Sequence, residues 1–366
     1  MLAPPQVEYR VTLGIGWPLC VEVDPRIGWP NVPRETLDWT ARLDAGPVGG
    51  GPSATATASP VIEVPPGPRR ARFDEDEFGP PPVEADPPEV TAADTLPTVS
   101  LSAPALPRVF VVANQKGGVG KTTTSVNLAA ALALGGLSVL LVDLDPQGNA
   151  TTALGVDHPP GTPGTYEVLM AGATLADHVV DSPEASNLKV LPATIDLAGA
   201  EIELVSVVAR ENRLKRALRS YLLDHPADYV FLDCPPSLGL LTLNALVAAN
   251  EIMVPIQCEY YALEGVTQLL RTIDLVKGEL NNDLRLSTVL LTMFDGRTKL
   301  AAQVADEVRR HFPAETLPTV IPRSVRISEA PSYGQTVLTY QPSSAGAISY
   351  LEAAQEIARR GVEESA

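Results

Sequence analysis

Residues 108–124 read RVFVVA followed by NQKGGVGKTTT, a short apolar run and then a glycine-rich loop. The run at 108–113 is typical of a strand that is buried on both faces of a parallel sheet. After the loop the chain continues as SVNLAAALAL, in which apolar side chains recur at helical spacing. Strand, loop and helix in this order predict a phosphate-binding loop at the N-terminus of the helix.

The loop itself has the residue types that hold a nucleotide. Glycines let backbone N–H groups converge on phosphate oxygens, a lysine neutralises the β- and γ-phosphates, and the next hydroxyl binds Mg²⁺. The usual motif has glycine six positions before that lysine, but Gln115 stands there and a second lysine lies inside the loop. The predicted nucleotide-binding residues are Lys116, Gly117, Gly118, Val119, Gly120, Lys121, Thr122 and Thr123.

Two further apolar runs end on carboxylates. LSVLLVD at 137–143 ends at Asp143 and is followed closely by Asp145, and YVFLD at 229–233 ends at Asp233. Carboxylates at the C-terminal ends of parallel strands face the crevice where ligands bind, so Asp233 is expected in the shell of a metal ion. The residues around Asp145 also favour a turn, and that interpretation is compatible with a functional one.

Three strings resemble the ParA/Soj family of partitioning ATPases: the loop at 114–124, DLDPQGN at 143–149 and DCPPSLG at 233–239. The resemblance extends over residues 108–361 and implies an ATPase that uses ATP and Mg²⁺. It implies that Lys116 reaches the nucleotide of a partner subunit and that Asp145, with Asp143 as a second candidate, orients the attacking water. The catalytic residues implied are Lys116, Lys121 and Asp145; the metal ligands are Thr122, Asp145 and Asp233.

The segment IPRSVRISEAPSYG at 321–334 is also similar to the family. The resemblance implies that Pro322 and Ser324 line the adenine pocket and that Arg297 and Arg326 bind DNA. Residues 285–326 hold seven basic and four acidic residues, a net charge of +3. A solvated helix face is the alternative for each arginine, and it is favoured for a second basic run at 210–219.

The predicted fold is α/β, a mostly parallel twisted sheet flanked by helices, over residues 108–361. Residues 1–107 hold 20 of the 35 prolines, with 15 acidic and 7 basic residues. That composition predicts a largely disordered, acidic N-terminal extension, although 7–15 alternate like one strand. Residues 362–366 are expected to form a short tail.

The net charge of −17 excludes indiscriminate coating of nucleic acid, so any DNA contact must come from a local basic patch. Three unpaired cysteines and the lack of a long apolar run predict a cytoplasmic protein that does not bind membrane. By resemblance, the partners are a second copy of the chain when ATP is bound, non-specific double-stranded DNA of the nucleoid, and a ParB-type protein. The alternatives are a MinD-like positioning ATPase and a nucleotide-binding scaffold with another cargo.

Overall fold

The computed structural model describes residues 100–260 and 262–363. The predicted extension therefore lies outside the described residues as far as residue 99, as do residues 364–366 of the predicted tail. Within residues 100–107, Leu101 donates its amide to Gly135 O at 2.9 Å and packs against the core.

The described residues form one sheet and a set of α-helices. The strands are β1 (Arg108–Val112), β2 (Val139–Asp143), β3 (Val180–Asp181), β4 (Leu188–Leu191), β5 (Tyr229–Asp233), β6 (Glu251–Gln257), β7 (Arg285–Phe294) and β8 (Thr316–Pro322). The helices are α1 (Lys121–Leu134), α2 (Asn149–Ala153), α3 (Thr165–Met170), α4 (Leu197–Glu203), α5 (Arg213–Asp224), α6 (Leu240–Ala248), α7 (Ala262–Glu279), α8 (Lys299–His311), α9 (Val325–Glu329), α10 (Val337–Tyr340) and α11 (Ala345–Glu363).

The strands lie in the order β3-β4-β2-β5-β1-β6-β7-β8. Each neighbouring pair is parallel except β3 and β4, which are antiparallel. The predicted mostly parallel α/β fold is confirmed. Because β1 pairs with β5 on one side and β6 on the other, its C-terminal end lies in the middle of the sheet, where open α/β sheets bind ligands.

The core lies on both faces of the sheet, as strands with continuous apolar sequences require. Val109 and Val111 of β1 point into one apolar cluster with α5, α6 and α8, and Phe110 and Val112 point into a second with α1 and α11. All five residues of β1, β2 and β5 are buried. These three strands therefore hold their C-terminal ends, and the residues that follow them, in fixed positions.

Candidate functional site

The glycine loop between β1 and α1 has an open backbone geometry. Gly118 and Gly120 have φ of 71° and 87°, in the left-handed region that favours glycine. A Cβ at Gly117 or Gly118 would meet nothing within 4 Å, so the loop is open toward its concave side. No side chain caps α1 at Gly120. The first N–H groups of this helix are therefore available to an anion such as phosphate.

Lys121 begins α1 and is 7% exposed. Its ammonium group donates to Lys116 O at 3.3 Å, which holds the side chain along the loop. Burial lowers the pKa of Lys121, although Asp233 and Asp145 nearby act in the opposite direction. A desolvated ammonium group at a helix N-terminus is suited to bind phosphate, because the phosphate replaces the missing water.

Asp233 lies at the end of β5 and is wholly buried. Its two carboxylate oxygens accept hydrogen bonds from α1, one from Thr122 Oγ1 at 2.8 Å and one from Ser125 Oγ at 2.7 Å. The sequence motif predicts Thr122 beside Asp233. Ser125 was not among the predicted site residues. It lies one turn after Thr122 on the same helix face, so helical spacing could have identified it.

Asp143 and Asp145 differ in their surroundings. Asp143 is wholly buried and pairs in register with Asp233 on the neighbouring strand. Its carboxylate accepts from the amide and hydroxyl of Thr151, at 2.9 and 2.7 Å, and from the amide of Asp145 at 3.1 Å. The carboxylate of Asp145 accepts from the amide of Gln147 at 3.0 Å. Asp143 thus holds the loop that carries Asp145.

The buried carboxylates are stabilised in their protonated forms. Burial, and then the charge of Asp143, raises the pKa of Asp233 to about 7. Burial raises the pKa of Asp143 to about 6, against the hydrogen bonds from Thr151. In a dry, acidic crevice a divalent cation would compensate the negative charge that these groups acquire when they ionise.

Among the described residues, no group of three or more His, Cys, Asp or Glu side chains is placed to hold a metal ion on its own. The donor set at the end of β5 is a hydroxyl, Thr122, beside one carboxylate, Asp233. Mg²⁺ usually binds through one or two protein oxygens together with water and substrate phosphates, so this donor set fits Mg²⁺ bound with a nucleotide.

Lys116, the additional lysine of the loop, forms an ion pair with a residue that follows β6. Its ammonium group lies 3.1 Å from Glu259 Oε2, just beyond the end of β6, and its backbone amide donates to Asn114 Oδ1 at 3.0 Å. The Asn114 amide group in turn donates to Pro255 O at 2.8 Å. Roughly a third of the Lys116 side chain is exposed, so it remains accessible to a second molecule.

The predicted adenine-pocket residues lie at or just after the C-terminal end of a strand, as the glycine loop does. Pro322 ends β8 opposite Phe294 of β7, and Ser324 immediately precedes α9. β7 is linked to the glycine loop by Thr292, whose hydroxyl donates to Val119 O at 2.8 Å. Pro322 and Ser324 are three strands from β1, so their contact with a base stays a prediction.

The predicted DNA-binding arginines are both exposed and both paired. Arg297 forms two hydrogen bonds to Asp295, at 2.9 and 2.8 Å. Arg326 pairs with Glu329 at 3.0 Å. Arg323, which lies between them in sequence, is 3.5 Å from Glu259. Glu259 and Glu329 are outside the window 285–326, so the +3 charge of that window overstates how basic this surface is.

The second basic run is partly structural. Arg210 bonds to Val205 O, and Arg213 donates to Leu169 O and Met170 O at 2.8 and 3.0 Å, which closes the C-terminal end of α3. These two arginines bond to backbone carbonyls of the chain itself, and the solvated-face interpretation of the whole run stays a prediction.

Comparisons with known proteins identify the family of this chain. A family model described as an AAA domain matches residues 107–286. The sporulation initiation inhibitor protein Soj of Bacillus subtilis is 53% identical over 254 residues, which cover 69% of this chain and 99% of that protein. The chromosome partitioning protein ParA of Myxococcus xanthus is 49% identical over 258 residues, covering 70% and 90%. The chain belongs to the ParA/Soj family. The predicted resemblance is confirmed.

A solved relative carries ligands of the expected kind. The crystal structure of cobyrinic acid a,c-diamide synthase from Mycobacterium smegmatis, with bound ATP analogue and magnesium, has a TM-score of 0.60 and 44% sequence identity. The match covers 70% of this chain and 96% of that one. Membership of the ParA/Soj family and this likeness both agree with ATP and Mg²⁺ as ligands of the glycine loop.

Proposed function

We propose that this chain is an ATP-dependent DNA-partitioning ATPase. The observation that carries the proposal is the convergence of Lys121, Thr122 and Asp233 at the C-terminal ends of β1 and β5. Lys121 neutralises the β- and γ-phosphates, and the free N–H groups of α1 bind their oxygens. Thr122 and Asp233 hold Mg²⁺, which supplies charge neutralisation at the phosphates when bound.

Asp145 is the residue that promotes hydrolysis, by acting on the attacking water. Asp145 is 9% exposed, and it lies on a loop that buried Asp143 fixes in place. Its carboxylate accepts one hydrogen bond from the Gln147 amide. Asp145 orients the attacking water and supports the metal ion, while Asp143 acts as a positioning residue. The reaction converts ATP and water to ADP and phosphate.

The nucleotide acts as a switch. Two copies of the chain join around two ATP molecules, with Lys116 of each reaching the nucleotide of the other, and the dimer binds duplex DNA without sequence preference through Arg297 and Arg326. Doubling the basic surface matters because affinity for DNA depends on the number of phosphates neutralised. Hydrolysis, stimulated by a ParB-type partner, returns the dimer to its state before ATP binding. The protein acts in the cytoplasm, at the nucleoid.

The first alternative is a MinD-like positioning ATPase. No helix in the described part of the chain is long and apolar enough to span a membrane. The alternative of a silent nucleotide-binding scaffold predicts no turnover, and therefore a measurement of turnover separates it from the proposal.

The test is phosphate release from Mg²⁺-ATP, measured for the full chain and for Lys121→Ala, with and without duplex DNA and a ParB-type protein. We expect turnover by the wild type, an increase when DNA and partner are both present, and none with Lys121→Ala. Equal rates for the two proteins under all conditions would contradict the proposed activity.

A further inference from the structure

The arginines at the β7–β8 edge are each held by a carboxylate of the same chain. The pairs are Arg297 with Asp295, Arg326 with Glu329 and Arg323 with Glu259, at distances of 2.8, 3.0 and 3.5 Å. In all three pairs the arginine is more than half exposed, at 88%, 54% and 57%. The three arginine side chains therefore face solvent while each lies beside a carboxylate, although Glu259 is shared with Lys116.

Asp295 is the most strongly engaged of the three acids. It accepts from the backbone amide of Arg297 at 3.1 Å as well as from Nε and Nη2 on one edge of the guanidinium group. These bonds from Arg297, with the charge of Arg323 beside them, lower the pKa of Asp295 to about 2. Asp295 therefore stays ionised throughout the physiological range and occupies the same guanidinium edge that a phosphate would use.

We propose that Asp295 and Glu329 are competitors of DNA phosphate, built into the DNA-binding surface, so that each arginine must exchange a carboxylate for a phosphate when duplex binds. The inference rests on the proposed function, because it concerns the regulation of the same surface. Each exchange gives up an ion pair, so the net gain in binding free energy per arginine is small and a single copy binds DNA weakly. Two copies that present their arginines to one duplex add these small gains, and binding then becomes favourable.

The magnitude follows from the exposure of these pairs. Exposed ion pairs are weak because solvent screens them. Removing one carboxylate per protomer should therefore raise affinity only modestly, about threefold for each protomer in contact, or about tenfold for a dimer that contacts DNA through both copies. An amide of the same shape is the appropriate replacement, because Asn at 295 still accepts the backbone hydrogen bond from residue 297.

The experiment compares DNA-binding isotherms of the full chain with Mg²⁺-ATP for the wild type, Asp295→Asn and Glu329→Gln. Asp181→Asn is the matched control, because it removes the same charge from an exposed ion pair, with Lys189 at 2.6 Å, on the opposite edge of the sheet. We expect about tenfold tighter binding for each of the two surface variants and little change for the control.

A second comparison separates competition from a general effect of charge. In an Arg297→Gln background, Asp295→Asn should give almost no gain, because the arginine it competes for is gone. An unchanged affinity in Asp295→Asn, a gain of equal size in Asp181→Asn, or a full gain in the Arg297→Gln background would each overturn the inference. Failure of the wild type to bind any duplex at low salt would instead overturn the proposed DNA function.

Discussion

The ammonium group of Lys116 lies 3.1 Å from the carboxylate of Glu259, 143 residues later in the chain. Both side chains are substantially exposed, at 36% and 45%. Exposed pairs of this kind are weak, so the contact with Glu259 does not prevent Lys116 from turning toward another molecule.

Lys116→Ala should bind ATP as a monomer and fail to dimerise, because its proposed role is at the nucleotide of the partner. Glu259→Gln should change the dimerisation constant by less than about fivefold, since an exposed pair contributes at most about 1 kcal/mol. Nucleotide titration with sedimentation measures both properties. Normal ATP-dependent dimerisation of Lys116→Ala would exclude the proposed role of this lysine.

Asp145→Ala should retain ATP and accumulate as the ATP-bound dimer. The substitution removes the group that orients water, whereas Lys121, Thr122 and Asp233 remain to bind the nucleotide. Single-turnover hydrolysis and retention of labelled ATP check this outcome. Hydrolysis at the wild-type rate would show that Asp145 serves only the turn that follows β2.

Thr151→Val should lower the free energy of unfolding by about 2 kcal/mol, because it leaves buried polar groups unpaired. The Thr151 hydroxyl donates to Asp143 at 2.7 Å and accepts from the Ala193 amide at 3.2 Å. Thr152→Val is the matched control: Thr152 is the next residue, is exposed, and should change stability by no more than about 0.5 kcal/mol. Urea unfolding compares them, and equal losses would contradict the role of Thr151.

The buried carboxylates should make stability depend on pH in the metal-free, nucleotide-free protein. Asp233 has a folded pKa near 7, raised from 3.8 chiefly by burial, so the folded state binds more protons than the unfolded state between about pH 4 and 7. Its contribution to stability is therefore present at low pH and is lost as pH rises through that window. Thermal unfolding at pH 5 and pH 8 checks this sign. The Tm of Asp233→Asn relative to that of the wild type should be higher at pH 8 than at pH 5. A difference between the two proteins that does not vary with pH would contradict this sign.

The sequence predicts the strands that are continuous apolar runs and misses those that depend on their neighbours. β1, β2 and β5 were predicted from such runs, and the observed bounds differ by at most two residues at either end. β4 has four residues, and β8 contains prolines at both Pro318 and Pro322, so neither has a distinct pattern. Their places in the sheet are fixed by pairing with β2 and β7.

The candidate site also contains residues that the sequence predicts and residues that only the fold brings together. Lys121, Thr122 and Asp233 belong to local motifs whose positions in strand, loop and helix can be predicted. Glu259 and Thr292 contact the loop from positions 143 and 173 residues away, and only the fold brings them there. The charge of the predicted DNA surface was overestimated for the same reason, because Glu259, which follows β6, lies 3.5 Å from Arg323 only in the folded chain.

In the proposed function, ATP switches this chain between two states with different affinity for DNA. Binding of the full chain to duplexes of unrelated sequence at low salt, with Mg²⁺-ATP and with Mg²⁺-ADP, tests this switch. Binding with ATP should be equal across sequences, weaken steeply with salt and fade with ADP. Equal binding in both nucleotides, or no binding with ATP, would contradict it.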